Sequence, residues 1–214
     1  KVVQVGTQQR SMPHYQAAKK AVADGKAGTI VKVHMTWNRN TGRSARPKQQ
    51  VDPKDIDWKA FCGNAPEQKF DDYKQRQWRW FWDFGGGLLT DLMVHQVDIV
   101  HWILGVDHPE WATSIGNYFS AKDVWETPDT IQCLLSYGDK FQGYFEGTFS
   151  NARNNAMIEL MGTHATIYLD RGRYELHPEK RKTAVPAESM ILGSGDKGKD
   201  FYDKPEGELL HLTN

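Results

Sequence analysis

The sequence predicts an α+β protein: a mainly antiparallel open sheet with helices on one face, preceded by one strand–helix unit. Three observations carry that expectation. Residues 88–104 read as one long apolar helix, residues 111–177 as successive short strands, and residues 2–23 as strand, polar loop and helix. Strands that follow one another without helices between them pair antiparallel, and an apolar helix buries itself against one face of such a sheet.

Taken in order, Val2–Val5 reads as a short buried strand closed by Gly6. After the loop TQQRSMPH, Tyr15–Ala23 has helical character and ends in the stop signal Asp24-Gly25. The β-prone stretch Thr29–Asn40, with Ile30, Val31, Val33, Met35 and Trp37, reads as a long half-buried strand. Residues 41–55 form a Pro-, Lys- and Gln-rich loop, and Asp57–Phe61 a short helical turn stopped by Gly63. Tyr73–Phe84 is a dense aromatic and arginine run feeding the triplet Gly85-Gly86-Gly87. Beyond the long helix, strands are expected at Trp111–Phe119, Thr130–Tyr137, Phe141–Phe149, Met157–Met161, Ala165–Leu169 and Tyr174–His177. Residues 178–207, rich in Lys, Gly, Pro and Glu, are expected to form a mobile loop.

Composition bounds the function classes. A chain of 214 residues with 39% hydrophobic and 25% charged residues buries one good core and is ordinary for a globular protein. Eight Trp suit a stacking surface, a sugar-type cleft, a large interface or simply a Trp-rich core. Net charge is zero, yet residues 1–50 carry ten Lys or Arg against Asp24 alone, and the remainder carries 17 basic against 26 acidic residues. The positive residues form no compact run and no nucleic-acid module accompanies them, so no nucleic-acid partner is expected. Cys62 and Cys133 are too few for a disulfide framework and read as buried free thiols. No 18-residue apolar run predicts a membrane span, and KVVQVG lacks the regions of a signal peptide. The compartment stays open: cytoplasmic is favoured, and an exported precursor is compatible with a sequence that starts mid-protein.

Chemistry concentrates on the long helix. Leu89, Leu92, Met93, Val94, Val97, Ile99, Val100, Ile103 and Leu104 cover most of its circumference, whereas Asp91, His95, Asp98 and Trp102 share one stripe. Two carboxylates and an imidazole on an apolar helix are costly unless paired or solvated in a cleft. The glycine triplet before them permits close backbone approach. Asp91, one turn before His95, is placed to orient its ring.

A glycine triplet followed by Asp-x-x-x-His-x-x-Asp on a long apolar helix resembles the Gfo/Idh/MocA family of NAD(P)-dependent oxidoreductases. So do the Trp-Arg pair at Trp78-Arg79, WNRNTG at the tip of the first long strand, and ELMGTHATIYLD, where His164-Ala165 replaces a usual glycine. The resemblance implies that residues 1–27 are the remnant last βα unit of a Rossmann-type dinucleotide-binding domain. It implies that residues 28–214 are the substrate and oligomerisation domain, truncated at its C-terminus, so that the protein is clipped at both ends. The strand–helix unit at residues 2–23 carries no G-x-G-x-x-G phosphate loop, and the family's Glu-Lys-Pro segment with its lysine is absent. The implied roles are His95 as acid/base with Asp91 as its partner, and Asp98, Arg79, Trp80, Asn38, Asn40 and Asn154 as substrate contacts. Gln8, Gln9 and Arg10 would face the nicotinamide of NAD or NADP. The expected substrate is a sugar, cyclitol or related polyol, the expected assembly a homo-oligomer through the sheet face with Trp111, Tyr118 and Phe119, and these residues alone are expected not to turn over.

Three other readings stay open. One is an NAD-dependent glycoside hydrolase of the same superfamily, and another a non-catalytic binding and oligomerisation module. The third is a metal site at Asp91, His95, Asp98 and His101, disfavoured because His101 points roughly 80° from Asp91 on the wheel and no Cys joins them.

Overall fold

The computed structural model describes residues 2–41 and 51–179, together with the backbone of 188–191 and 210–211. One sheet organises these residues. Its strands are β1 (Ile30–Asn38), β2 (Trp111–Asn117), β3 (Thr130–Ser136), β4 (Gln142–Thr148), β5 (Ile158–Gly162), β6 (Ala165–Leu169), β7 (Arg173–Pro178), β8 (Glu188–Ile191) and β9 (Leu210–His211). They lie in the order β2-β3-β4-β1-β5-β6-β7-β8-β9. Every neighbouring pair is antiparallel except β1 with β4 and β8 with β9. The expected α+β class with a mainly antiparallel sheet is what forms.

Side-chain alternation divides the sheet into two faces. Through the register, Cys133, Phe145, Met35, Ile158, Leu169 and Tyr174 line up across six strands, and all are buried. This is the core face. Over it lie α1 (Pro13–Ala23) and the long helix, which runs through a π turn at Leu89–Met93 into α4 (Val94–Leu104). Tyr15 and Ala18 of α1 and Ile99, Val100 and Ile103 of α4 complete the core, each at most 7% exposed. α1 starts on Pro13 at its first turn and gives way at Gly25, where φ is +75°. α4 ends at Gly105 in the left-handed conformation. Val94 is 49% exposed, so the long helix is less enclosed than its composition suggests.

The opposite face is polar at its centre. Leu134, Tyr144, His34, Glu159, Tyr168 and Glu175 align across it, with His34 between Glu146 at 3.5 Å and Glu159 at 3.6 Å. Short helices α2 (Trp58–Cys62) and α3 (Asp72–Arg76) carry N-caps from Asp57 and Asp71, whose side chains accept from the amides of Ala60 and Lys74. Gly63 closes α2 as expected, and both cysteines are free, Cys133 buried and Cys62 half-buried.

Two expectations fail. Val2–Val5 forms no strand, and Val2, Val3 and Val5 are 86–100% exposed, because no strand among the described residues lies beside them to take up their backbone groups. Within the segment expected to be a mobile loop, residues 188–191 pair with β7, satisfying the edge of the sheet. The rest of that segment, 180–187 and 192–207, and residues 42–50 of the earlier loop lie outside the described residues.

Candidate functional site

The stripe on the long helix is built, but its partners are arginines. Arg10 Nε and Nη2 donate to the two carboxylate oxygens of Asp98 at 2.9 and 2.5 Å. Arg79 Nε donates to Asp91 Oδ1 at 2.6 Å, while its guanidinium carbon lies 4.5 Å from the ring centre of Trp78. His95 stands between these two pairs, half-buried, with the Trp37 ring 5.4 Å away at a 34° tilt. Its ring makes no hydrogen bond to any described residue, and both ring nitrogens are therefore available to a ligand. The two charge pairs cancel the acidity of the stripe.

No hydrogen bond joins Asp91 to His95 among the described residues; Arg79 takes the Asp91 carboxylate instead, where the helix begins as a π turn. The glycine triplet also serves an internal purpose. A Cβ on Gly85 would meet the Arg79 carbonyl oxygen at 3.0 Å, and one on Gly87, at φ +63°, would meet Thr127 Oγ1 at 2.6 Å. The triplet thus lets the Arg79 segment and Thr127 close on the start of the helix.

The other predicted contacts separate. Arg10 is committed to Asp98. Gln9 is 3% exposed and donates to Tyr15 Oη at 2.9 Å, and Gln8 is exposed. Trp80 is 6% exposed and stacks on Trp125 with ring centres 4.5 Å apart, a core position rather than a ligand contact. Asn38 faces away from Trp37 and donates to the Arg153 carbonyl at 2.6 Å. Asn154, at φ +64°, presents its carbonyl to Thr36 Oγ1 at 3.2 Å on that same side of β1. Asn40 is exposed and bridges to Ser150. The structure therefore gathers Asp91, His95, Asp98, Arg79 and Arg10, and leaves Trp80, Asn38 and Asn154 elsewhere. Trp37, which meets His95, was expected only as a core residue of its strand.

A cavity of about 360 Å³ opens on a different side of the helix, between Leu89, Met93 and Val97 and the β2–β3 strands at Cys133, Leu135 and Tyr137. Its lining includes neither His95 nor the two carboxylates. Nearby, His101 Nε2 and Tyr137 Oη lie 2.7 Å apart; burial lowers the imidazole's pKa and pushes the phenol up to about 12.

Residues 59–168, which hold this stripe and the strands behind it, match the family model described as the GFO/IDH/MocA C-terminal domain. The chain belongs to the Gfo/Idh/MocA family. Its family fold is also seen in solved structures. An NAD binding oxidoreductase from Klebsiella pneumoniae is 18% identical, with TM-score 0.60 over 88% of this chain and 46% of that one. Levoglucosan dehydrogenase in complex with NADH is 17% identical, with TM-score 0.61 over 90% and 47%. An inositol dehydrogenase homolog from Azotobacter vinelandii, complexed with NADH and myo-inositol, is 16% identical, with TM-score 0.56 over 85% and 40%. The chain spans less than half the length of each. No curated protein sequence matches it.

Proposed function

We propose that this chain is the substrate half of a nicotinamide-dependent oxidoreductase that acts on a sugar, cyclitol or related polyol. The observation that carries the reading is His95: a half-buried imidazole in a Gfo/Idh/MocA chain, flanked by two neutralised carboxylates and resting against Trp37. Oxidation of an alcohol carbon needs the hydroxyl proton removed as hydride leaves, and an imidazole does this near neutral pH. His95 is the acid/base. Asp91 and Arg79 act together as a fixed dipole beside it, and Asp98 with Arg10 anchors the next turn of the helix to the 3-10 turn Gln8–Ser11. The Trp37 face backs the imidazole and excludes water from one side of it.

The residues present do not fit a whole NAD or NADP. No G-x-G-x-x-G loop lies between Val5 and Pro13, Arg10 is held by Asp98, and Gln9 is turned inward. The chain's own part is to hold the alcohol and move its proton. A direct test is to titrate the 214-residue protein with myo-inositol and levoglucosan and to assay NADH formation from NAD. Expected are binding that weakens at least tenfold in His95→Ala and no NADH from the chain alone. Unaltered binding in His95→Ala would remove the imidazole from the site, and NADH formation would place the nicotinamide within these residues.

The sheet's outer face supports the assembly part of the reading. Trp111 and Ile115 on β2 and Leu134 on β3 share that face by register, are 55%, 71% and 49% exposed, and meet no covering layer among the described residues. A second copy of the chain is the proposed cover. Phe119, 67% exposed, lies just past β2, whereas Tyr118 spends its hydroxyl on the Glu126 carbonyl at 2.6 Å.

A further inference from the structure

We infer that the substrate held at His95 carries an anionic group, a carboxylate or a phosphate, that Arg39 and Arg171 receive. The inference rests on the sugar-oxidoreductase reading and narrows its substrate class. Trp37 lies at the end of β1 on the helix side of the sheet, against His95. Two residues later Arg39 brings its guanidinium carbon to 5.4 Å from the centre of the same indole. Arg171 reaches that ring from the turn between β6 and β7, at 5.5 Å. One aromatic ring thus touches the imidazole and two guanidinium groups brought from distant parts of the sequence.

What distinguishes these two arginines is their lack of counter-charge among the described residues. Arg10 and Arg79 each hold a carboxylate of the stripe. Arg39 and Arg171 are exposed, and neither makes an ion pair or side-chain hydrogen bond with a described residue. Asp170, adjacent in sequence to Arg171, is occupied by Arg173 at 2.7 Å and by the amides of Gly172 and Arg173. The stripe being neutral, the surroundings of His95 are net positive. Two like charges over one ring repel each other, and an anion seated between them relieves that repulsion. The indole holds each guanidinium by cation–π attraction, which leaves the fork of donors free and ordered for a carboxylate or phosphate oxygen pair.

The test measures dissociation constants of the 214-residue protein for D-glucuronate, D-glucose 6-phosphate, D-glucose and inorganic phosphate. One of the two sugar anions is expected to bind at least tenfold more tightly than glucose, and which one does so tells carboxylate from phosphate. In Arg39→Ala/Arg171→Ala the advantage is expected to fall to about twofold or less while glucose affinity is retained. Because both residues are exposed, the double variant is expected to melt with the parent; independently, raising salt on the unaltered protein is expected to erode the same advantage. Glucose binding as tightly as both anions, with all three weakened in His95→Ala, would overturn the anionic substrate and leave the sugar reading standing. A preference for the anion that survives the double variant would overturn the assignment to Arg39 and Arg171. Inorganic phosphate binding as tightly as the sugar anions would overturn the inference by showing an anion site without sugar selection, and binding of no sugar at all would overturn both readings.

Discussion

His14 shows how a single side chain ties the stability of this protein to pH. It is 1% exposed, and its Nε2–H donates to the Asp170 carbonyl at 3.0 Å, while Nδ1 is buried without a partner. Burial lowers its pKa below 6.5, and the carbonyl hydrogen bond offsets only part of that. The unfolded chain therefore takes up the proton first, so the stabilisation is complete above 6.5 and is lost as pH falls through the lower folded value. His101, lowered by burial as well, adds in the same direction. Urea midpoints are expected to fall between about pH 7 and about pH 5, and to fall less in His14→Gln, whose amide keeps the donor to Asp170 without the titration. An equal slope in parent and variant would show that His14 is not the group responsible.

The long helix is the element on which most of the fold and the site depends, and it was legible because its apolar residues recur at helical spacing and its polar stripe does not scatter. The π turn was not legible. Counting at 3.6 residues per turn presumes the hydrogen-bond pattern that Leu89–Met93 departs from, and Arg79, which takes Asp91, comes from 12 positions upstream, outside the helix being counted. The Arg10–Asp98 and Trp37–His95 contacts were invisible for another reason: they join residues 88 and 58 positions apart, and no local pattern encodes such pairs. Asp129 was missed likewise. Fully buried, it accepts amide hydrogen bonds from Phe119, Ser120 and Ala121 at 2.7–2.8 Å and fixes the turn after β2. Val2–Val5 shows the converse, where β-propensity without a pairing strand among the described residues gives no strand. The start of the helix supplies the prediction at this scale. Gly87→Ala forces a side chain into a left-handed backbone and against Thr127, so a loss of about 1–3 kcal/mol is expected in denaturant titration. A loss below about 0.5 kcal/mol, the usual surface value, would mean that the glycine is not needed for closure there.

At the scale of the whole molecule, the two faces of the sheet have different fates. One is sealed by α1 and α4; the other carries a polar centre around His34 and, at the β2 end, the exposed trio Trp111, Ile115 and Leu134. Thr113 pairs with Leu134, which places Leu134 between Trp111 and Ile115 on the neighbouring strand, so the three form one patch rather than scattered residues. If a second copy covers this patch, a charge at its middle must be desolvated without a partner, whereas the isolated protomer barely notices it. Ile115→Arg is therefore expected to shift the mass measured by light scattering from dimer or larger toward the 24.5 kDa monomer. At dilutions where the parent is monomeric, the same variant is expected to change unfolding stability by less than about 0.5 kcal/mol, because the side chain is 71% exposed there. A monomeric parent at high concentration would leave the patch without a second copy to cover it. An Ile115→Arg protein that assembles as the parent does would move the contact to another part of the surface.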